Sequence, residues 1–266
     1  MEKFNYCDFD SNTVIKSILQ NAFTIDHFTS IEKAYEDFKH CFEDESYQGR
    51  VQTIERKNFT PQTSDTDFLN KFPDSQYTIG VDLPVAITDS ESYNGKCVFI
   101  VGEDALRKNE SNPDIILSTP FATHWPKYRN SHGKLYWKFS VWLMEKGYKI
   151  YYTDLKKVWI KKQSESRKLA VPDDLLIKFK ECLKAEIGEF KPEIIITFGK
   201  EAGDSISEMG IKNTIRFIHP TFSASKHWKN QYKLSSASDN NKFEFMINEF
   251  EKDRSSFNLG RSLLVG

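Results

Sequence analysis

The chain has 266 residues, 39% of them hydrophobic and 14% aromatic, which suits one large domain or a core with an added arm. No apolar run approaches the ~20 residues that span a bilayer, and the opening M-E-K-F-N-Y-C-D-F-D lacks the apolar stretch of a secretory signal, so a cytoplasmic protein is expected. The formal net charge of −1 excludes a uniformly basic or acidic chain, and Cys7, Cys41, Cys97 and Cys182 lie far apart without C-x-x-C pairing, which argues against a zinc or iron–sulfur site and fits reduced thiols.

The spacing of Val14, Ile15, Ile18, Leu19 and Phe23 predicts a helix over Asn12–Phe23. Ile31, Ala34, Phe38 and Phe42 predict another over Thr29–Phe42. These form an expected N-terminal helical arm with no chemistry of its own. Residues 51–95 read as loop-rich, with short β pieces at Tyr77–Val81 and Val85–Ile87. From Cys97 the pattern turns regular. Val98–Val101 is apolar without alternation, as a parallel strand buried on both faces would be, and it stops at Gly102, Glu103 and Asp104. A polar loop leads to S-T-P-F-A-T-H at Ser118–His124, followed by a helix over Lys134–Lys146. A second strand, Lys149–Thr153, ends in Asp154, and a helix over Pro172–Phe190 has proline at an early position. The third strand is Glu193–Phe198, followed by Gly199 and a helix over Lys200–Met209. The fourth is Thr214–Ile218, followed by His219-Pro220, and a last helix covers Lys242–Lys252.

Strands alternating with helices predict an α/β protein. The expected architecture is a three-layer α/β/α sandwich around a central, mostly parallel sheet of roughly four strands, plus the N-terminal arm. The expected organisation is an arm and loop region over residues 1–95 packed on the core, the α/β/α domain over 96–253 and a polar tail over 254–266.

In open sheets of this kind ligands bind beyond the carboxyl ends of the strands. The four strands deliver Glu103 and Asp104, then Asp154, then Gly199-Lys200, then His219-Pro220-Thr221 to that edge. Singly, each has a plain structural role: solvated turn acids, a helix cap, a hydrogen-bonding histidine. Together, two acids and a histidine from separate strands mark a candidate site.

At these residues the chain resembles the uracil-DNA glycosylase superfamily, over about half its length, from Cys97 to about Trp228. The G-E-D-A of Gly102–Ala105 is similar to the first motif of that family. The run Phe190–Ala202 is similar to its third strand and following helix, and H-P-T-F-S-A-S at His219–Ser225 to its H-P-S motif with the DNA-inserting loop. The resemblance implies an enzyme that extracts a nucleotide from the stack and hydrolyses its N-glycosidic bond without metal or cofactor, leaving an abasic site. It implies two catalytic residues: Asp104 beneath the sugar, stabilising its positive charge and orienting or deprotonating water, and His219 at the base oxygen where negative charge develops. Backbone N–H groups around Gly102, Glu103 and Ala105 would help hold the base, and Phe121 would stack on it, unless Phe121 is an ordinary core residue. Leu106 stands near where some members place a tyrosine that excludes the thymine methyl, which leaves room for a C5 substituent open.

Asp154 departs from the pattern. Uracil-specific members usually have asparagine there, reading N3–H and O4. A carboxylate has no donor for O4 but accepts from the N4 amino group of cytosine. The expected base is therefore cytosine-like and modified, such as the hydroxymethylated or glucosylated cytosine of some phage DNA, with phage defence as the setting; this resembles a branch of the superfamily that attacks such DNA. Conventional uracil excision with Asp154 as a structural residue is one alternative. A glycosylase fold that binds nucleic acid without cutting is another. A phosphate-binding flavodoxin-like protein is disfavoured, since no Gly-rich loop follows the first strand.

The expected partner is DNA, bound by a monomer away from any membrane. Basic residues concentrate between 125 and 170, including Arg129, Lys156, Lys157, Lys161 and Lys168, with Trp125, Tyr128, Trp137 and Trp159 interleaved. Such a run is either a solvated face or a phosphate-binding belt. Further expected DNA contacts are Thr119, Thr221, Ser223, Lys226 and His227, with Phe222 as the wedge filling the gap left by the flipped base.

Overall fold

The computed structural model describes residues 4–6, 12–25, 28–44, 46, 52–61, 68–103, 112–165, 168–220 and 224–262. The strands are β1 (Phe4–Tyr6), β2 (Phe23–Ile25), β3 (Gln52–Ile54), β4 (Phe59–Pro61), β5 (Tyr77–Asp82), β6 (Val85–Asp89), β7 (Lys96–Gly102), β8 (Ile115–Ser118), β9 (Tyr148–Asp154), β10 (Val158–Lys162), β11 (Ile194–Phe198) and β12 (Thr214–Phe217). The helices are α1 (Asn12–Leu19), α2 (Phe28–Glu43), α3 (Phe68–Lys71), α4 (Pro126–Arg129), α5 (Lys134–Glu145), α6 (Asp173–Phe190), α7 (Lys200–Glu208), α8 (Ser225–Tyr232) and α9 (Asp239–Ser262). None among the described residues is long and apolar enough to cross a membrane.

The protein is a mixed α/β fold with both parallel and antiparallel pairing. Its largest sheet runs β1-β6-β9-β7-β11-β12. The four strands β9, β7, β11 and β12 pair in parallel; β6 and β1 extend the β9 edge in antiparallel. Val98–Val101 and the whole of β11 are buried, so their unbroken β-branched and aromatic runs are covered on both faces. From β7 the chain crosses to β9 on one side, then returns past β7 to β11 on the other. The β7–β11 boundary is thus where connections diverge, the crevice at which such sheets take ligands.

Helix α5 packs on β9 and turns Leu135, Tyr136, Phe139, Leu143 and Met144 inward. Helix α6 opens with Asp173 and Asp174, whose charges suit a helix N-terminus, and buries Leu175, Phe179 and Leu183. The N-terminal segment packs on the core. The Cys182 thiol reaches the Ile18 carbonyl at 3.3 Å, Phe23 lies 5.8 Å from Phe179, and the Tyr35 hydroxyl donates to the Pro84 carbonyl at 2.7 Å.

Three expectations need correction. A boundary at residue 95 would cut through the large sheet, because β6 pairs with β9. A second sheet, β10-β5-β8-β3, contains residues read as a polar loop and as part of the basic belt. In it Trp159 is buried over Gly80, where an added Cβ would meet the indole at 2.1 Å, so this tryptophan belongs to the core. Finally, α9 continues to Ser262, through most of the stretch read as a tail, and α8 was not anticipated.

Candidate active site

The carboxyl edge of the parallel strands brings Gly102, Phe121, Asp154, Gly199 and His219 into one connected group. Gly102 pairs with Asp154 in the β7–β9 register, and the Leu155 and Lys156 amides bond to the Gly102 and Glu103 carbonyls at 2.9 Å. Pairing thus continues past the strands and fixes the turn after Asp154. A Cβ on Gly102 would fall 2.1 Å from Asp154 Oδ1 and 3.0 Å from the tip of Phe121. Glycine is what lets the carboxylate and the ring converge over the strand end. Asp154 itself is 2% exposed.

Phe121 is held in a left-handed conformation, φ 56°, and Ala122 follows at φ 47°. Non-glycine residues there are strained, and such strain persists only where the surroundings impose it. The imposing contacts are local. The Thr119 hydroxyl bonds to His124 Nδ1 at 2.8 Å and to the Thr123 hydroxyl at 3.1 Å, and the Ala122 and Trp125 amides close turns onto Thr119 and Ala122. The Phe121 ring stands 4.6 Å from Tyr136, 5.9 Å from Phe198 and 6.0 Å from Tyr152.

His219 enters from the other side. Its Nδ1 is 2.9 Å from the Tyr136 hydroxyl, and a Cβ on Gly199 would lie 2.6 Å from its Nε2. The segment carrying it is pinned through its backbone. Ile218 N donates to the Tyr232 hydroxyl at 3.1 Å, Trp228 Nε1 donates to the His219 carbonyl at 3.0 Å, and Lys242 Nζ donates to the Pro220 carbonyl at 3.1 Å. Tyr136 therefore bridges the histidine to the ring over Asp154. Burial, and then the neighbouring Tyr128 and Asp154 charges, push its phenol well above the ordinary value, so it stays protonated.

Gly199 serves twice, since its φ of 101° and ψ of 160° lie in a region only glycine occupies readily. Gly199→Ala is expected to cost about 1–3 kcal/mol of backbone strain and to push the imidazole aside. Thermal unfolding, together with the His219 ring signals in an NMR spectrum, checks both effects. A variant with unchanged melting and unchanged ring signals would show that the histidine does not depend on this glycine.

The rim of the edge is charged. Glu103 lies 3.2 Å from Lys168 and 3.7 Å from Lys156, and Lys156 reaches Glu201 at 2.5 Å. Burial opposes the Glu201 charge, but hydrogen bonds with Lys156 and Glu103 and the Lys156 and Lys168 charges prevail, and its carboxyl sits below the ordinary value. Glu103 and Lys156 thus tie the β7 and β9 turns to α7.

Several expected DNA contacts take other roles. The Lys157 side chain is fully enclosed, bonded to Glu186 at 2.8 Å and to the Thr153 hydroxyl at 2.7 Å, so it contacts no phosphate. Thr119 is buried in the turn just described. Arg129 is buried too, donating to the Thr123 and Phe42 carbonyls with its guanidinium 4.1 Å over the Phe42 ring, and Lys161 is 4% exposed. Three residues of the belt, Arg129, Lys157 and Lys161, are thus internal. Lys226 and His227 are exposed on α8, and His227 lines a cleft of about 810 Å³ with Gly199, Lys200, Ile218, His219 and Ala224. Asp104, Ala105, Leu106, Thr221, Phe222 and Ser223 lie outside the described residues.

A comparison with protein-family models finds no match, and neither does one with curated proteins. The site's own geometry is what bears on its chemistry. Among the described residues no three His, Cys, Asp or Glu side chains gather to hold a metal ion. What the edge offers is a buried carboxylate, an aromatic ring beside it, and an imidazole whose position is set by a phenol.

Sequence reasoning missed Tyr136, Trp228 and Lys242. Tyr136 reads as one more apolar residue of α5, and its only signal is a tyrosine where phenylalanine would serve packing equally well, since a buried phenol usually needs a partner.

Proposed function

We propose that this chain is a DNA glycosylase of the uracil-DNA glycosylase type, acting on a flipped-out, modified cytosine. The finer architecture we infer with it is a three-layer α/β/α sandwich around the parallel strands. One observation carries the reading: Phe121, Asp154 and His219, from three separate elements, converge on one carboxyl edge around Tyr136.

Each group has a task in that reaction. The edge of Phe121 beside Asp154 gives the extracted base a ring to stack on and a carboxylate to bond its polar edge. As the bond to the sugar breaks, negative charge collects on the base, and His219 is placed to donate a hydrogen bond to it. A preorganised donor aimed at developing charge is generally the largest single contribution to such a step. Asp104 would stabilise the opposite charge on the sugar and direct the water. The cleft beside His219, with Lys200 and His227 on its walls and Lys226 exposed on α8, offers the phosphate backbone a path.

Asp154 sets the base. A carboxylate facing uracil O4 leaves buried acceptors opposed, a mismatch of about 1–3 kcal/mol, whereas it accepts from cytosine N4. The test is mass spectrometry of free bases released from oligonucleotides carrying cytosine, 5-hydroxymethylcytosine, its glucosylated form, or uracil. Release of a modified cytosine is expected. Asp154→Asn should shift the preference toward uracil by roughly ten- to a hundredfold. Uracil release alone from the unaltered protein, or an Asn variant with the same base preference, would refute the assignment to cytosine, and no release from any DNA would refute the glycosylase.

A further inference from the structure

We propose that Tyr136 is a positioning residue for His219: its hydroxyl donates to Nδ1 and so fixes the imidazole with its proton on Nε2, the nitrogen that faces Gly199. The catalytic consequence rests on the glycosylase reading, but the tautomer is a property of the protein without DNA.

The hydroxyl lies 2.9 Å from Nδ1, which allows two arrangements. Either the phenol donates to a bare Nδ1, or an Nδ1–H donates to the phenol oxygen. The tyrosine side chain is 5% exposed, with its ring 4.6 Å from Phe121 and 4.8 Å from Phe198, and among the described residues its hydroxyl has no second hydrogen-bond partner. In the second arrangement the phenolic proton would have no acceptor within hydrogen-bond distance among the described residues, losing its hydration for nothing. A phenolate, which would need none, is excluded by the same burial. The first arrangement satisfies both groups.

The consequence lies at the opposite nitrogen. Nε2 is presented at the end of β11, so close to Gly199 that a Cβ there would stand 2.6 Å away. With the proton on Nε2, the edge presents a donor to an oxygen gaining charge. With the proton on Nδ1 it would present a lone pair and repel that oxygen. Forming an imidazolium would require a proton at Nδ1 as well, displacing the one from Tyr136. The phenol thus selects a neutral donor. Helix α5 supplies this control from 83 residues away in sequence.

The deciding experiment is a long-range proton–nitrogen NMR spectrum of the ¹⁵N-labelled full-length protein, with the His219 signals assigned by their loss in His219→Gln. The expected spectrum shows a protonated Nε2 and a bare Nδ1. Tyr136→Phe should convert this to a mixture of tautomers and slow base release by roughly ten- to a hundredfold, the size typical when a group orienting a functional histidine is lost, with DNA affinity retained. A proton on Nδ1 in the unaltered protein, or tautomer populations unchanged in Tyr136→Phe, would overturn the proposal. If the phenylalanine variant fails to fold, the unaltered spectrum decides alone. If no DNA yields a free base, the glycosylase reading falls while the spectrum still settles what the tyrosine does.

Discussion

His219→Ala is expected to slow base release by about 10²–10³-fold, the loss typical for removing one preorganised donor from a developing negative charge. Folding and DNA binding should survive. The turn holding His219 is fixed through main-chain groups, by Tyr232, Trp228 and Lys242, none of which touches the imidazole in doing so. The variant does leave the Tyr136 hydroxyl without its acceptor, which should cost about 1–3 kcal/mol unless water replaces the ring nitrogen. Single-turnover kinetics with saturating protein isolates the chemical step from binding, and a melting curve reports the fold. A rate within a few-fold of the unaltered protein would remove His219 from the chemistry. A collapse of folding with the rate would instead make it a structural residue.

The parallel strands were legible because their pattern is local. Val98–Val101 and Ile194–Phe198 are runs of β-branched and aromatic residues that stop at glycine, and their covered faces explain the absence of alternation. The positions of Asp154 and His219 were legible for a related reason: Asp154 is the last residue of its strand and His219 lies two residues beyond its own, so placing the strand places the residue. The second sheet was not legible. Its strands β3, β8 and β10 have 3, 4 and 5 residues, and each finds its partner far along the chain, where short-range periodicity is silent. Tyr136 was hidden by its own helix, whose inward face reads as packing from Leu135 to Met144. The basic belt misled most. Charge density in sequence suggests solvent, yet Arg129 is occupied by carbonyls and aromatic rings, and Lys157 by a glutamate 29 residues away.

That enclosed lysine leads to the second large effect. Lys157 and Glu186 have no exposed side-chain surface, and their 2.8 Å pair is completed by Thr153, whose hydroxyl lies 2.7 Å from the ammonium and 3.0 Å from Glu186 Oε2. Breaking such a pair from one side strands a charge without water, so Lys157→Met or Glu186→Gln should each destabilise by about 3–5 kcal/mol in urea unfolding. Replacing both by apolar residues of similar volume should recover most of the loss, because the desolvation of two charges disappears together with their attraction. The double variant then isolates a subtler role. Lys157 also reaches the Asp154 carbonyl at 3.4 Å, so the ammonium braces the turn that presents the carboxylate we propose to read the base. If this brace matters, the double variant will fold stably yet discriminate less sharply between cytosine and uracil bases. A stable double variant with unaltered preference would confine the pair to stability, and single variants within about 1 kcal/mol of the unaltered protein would mean that water reaches these charges, which a fully enclosed pair does not allow.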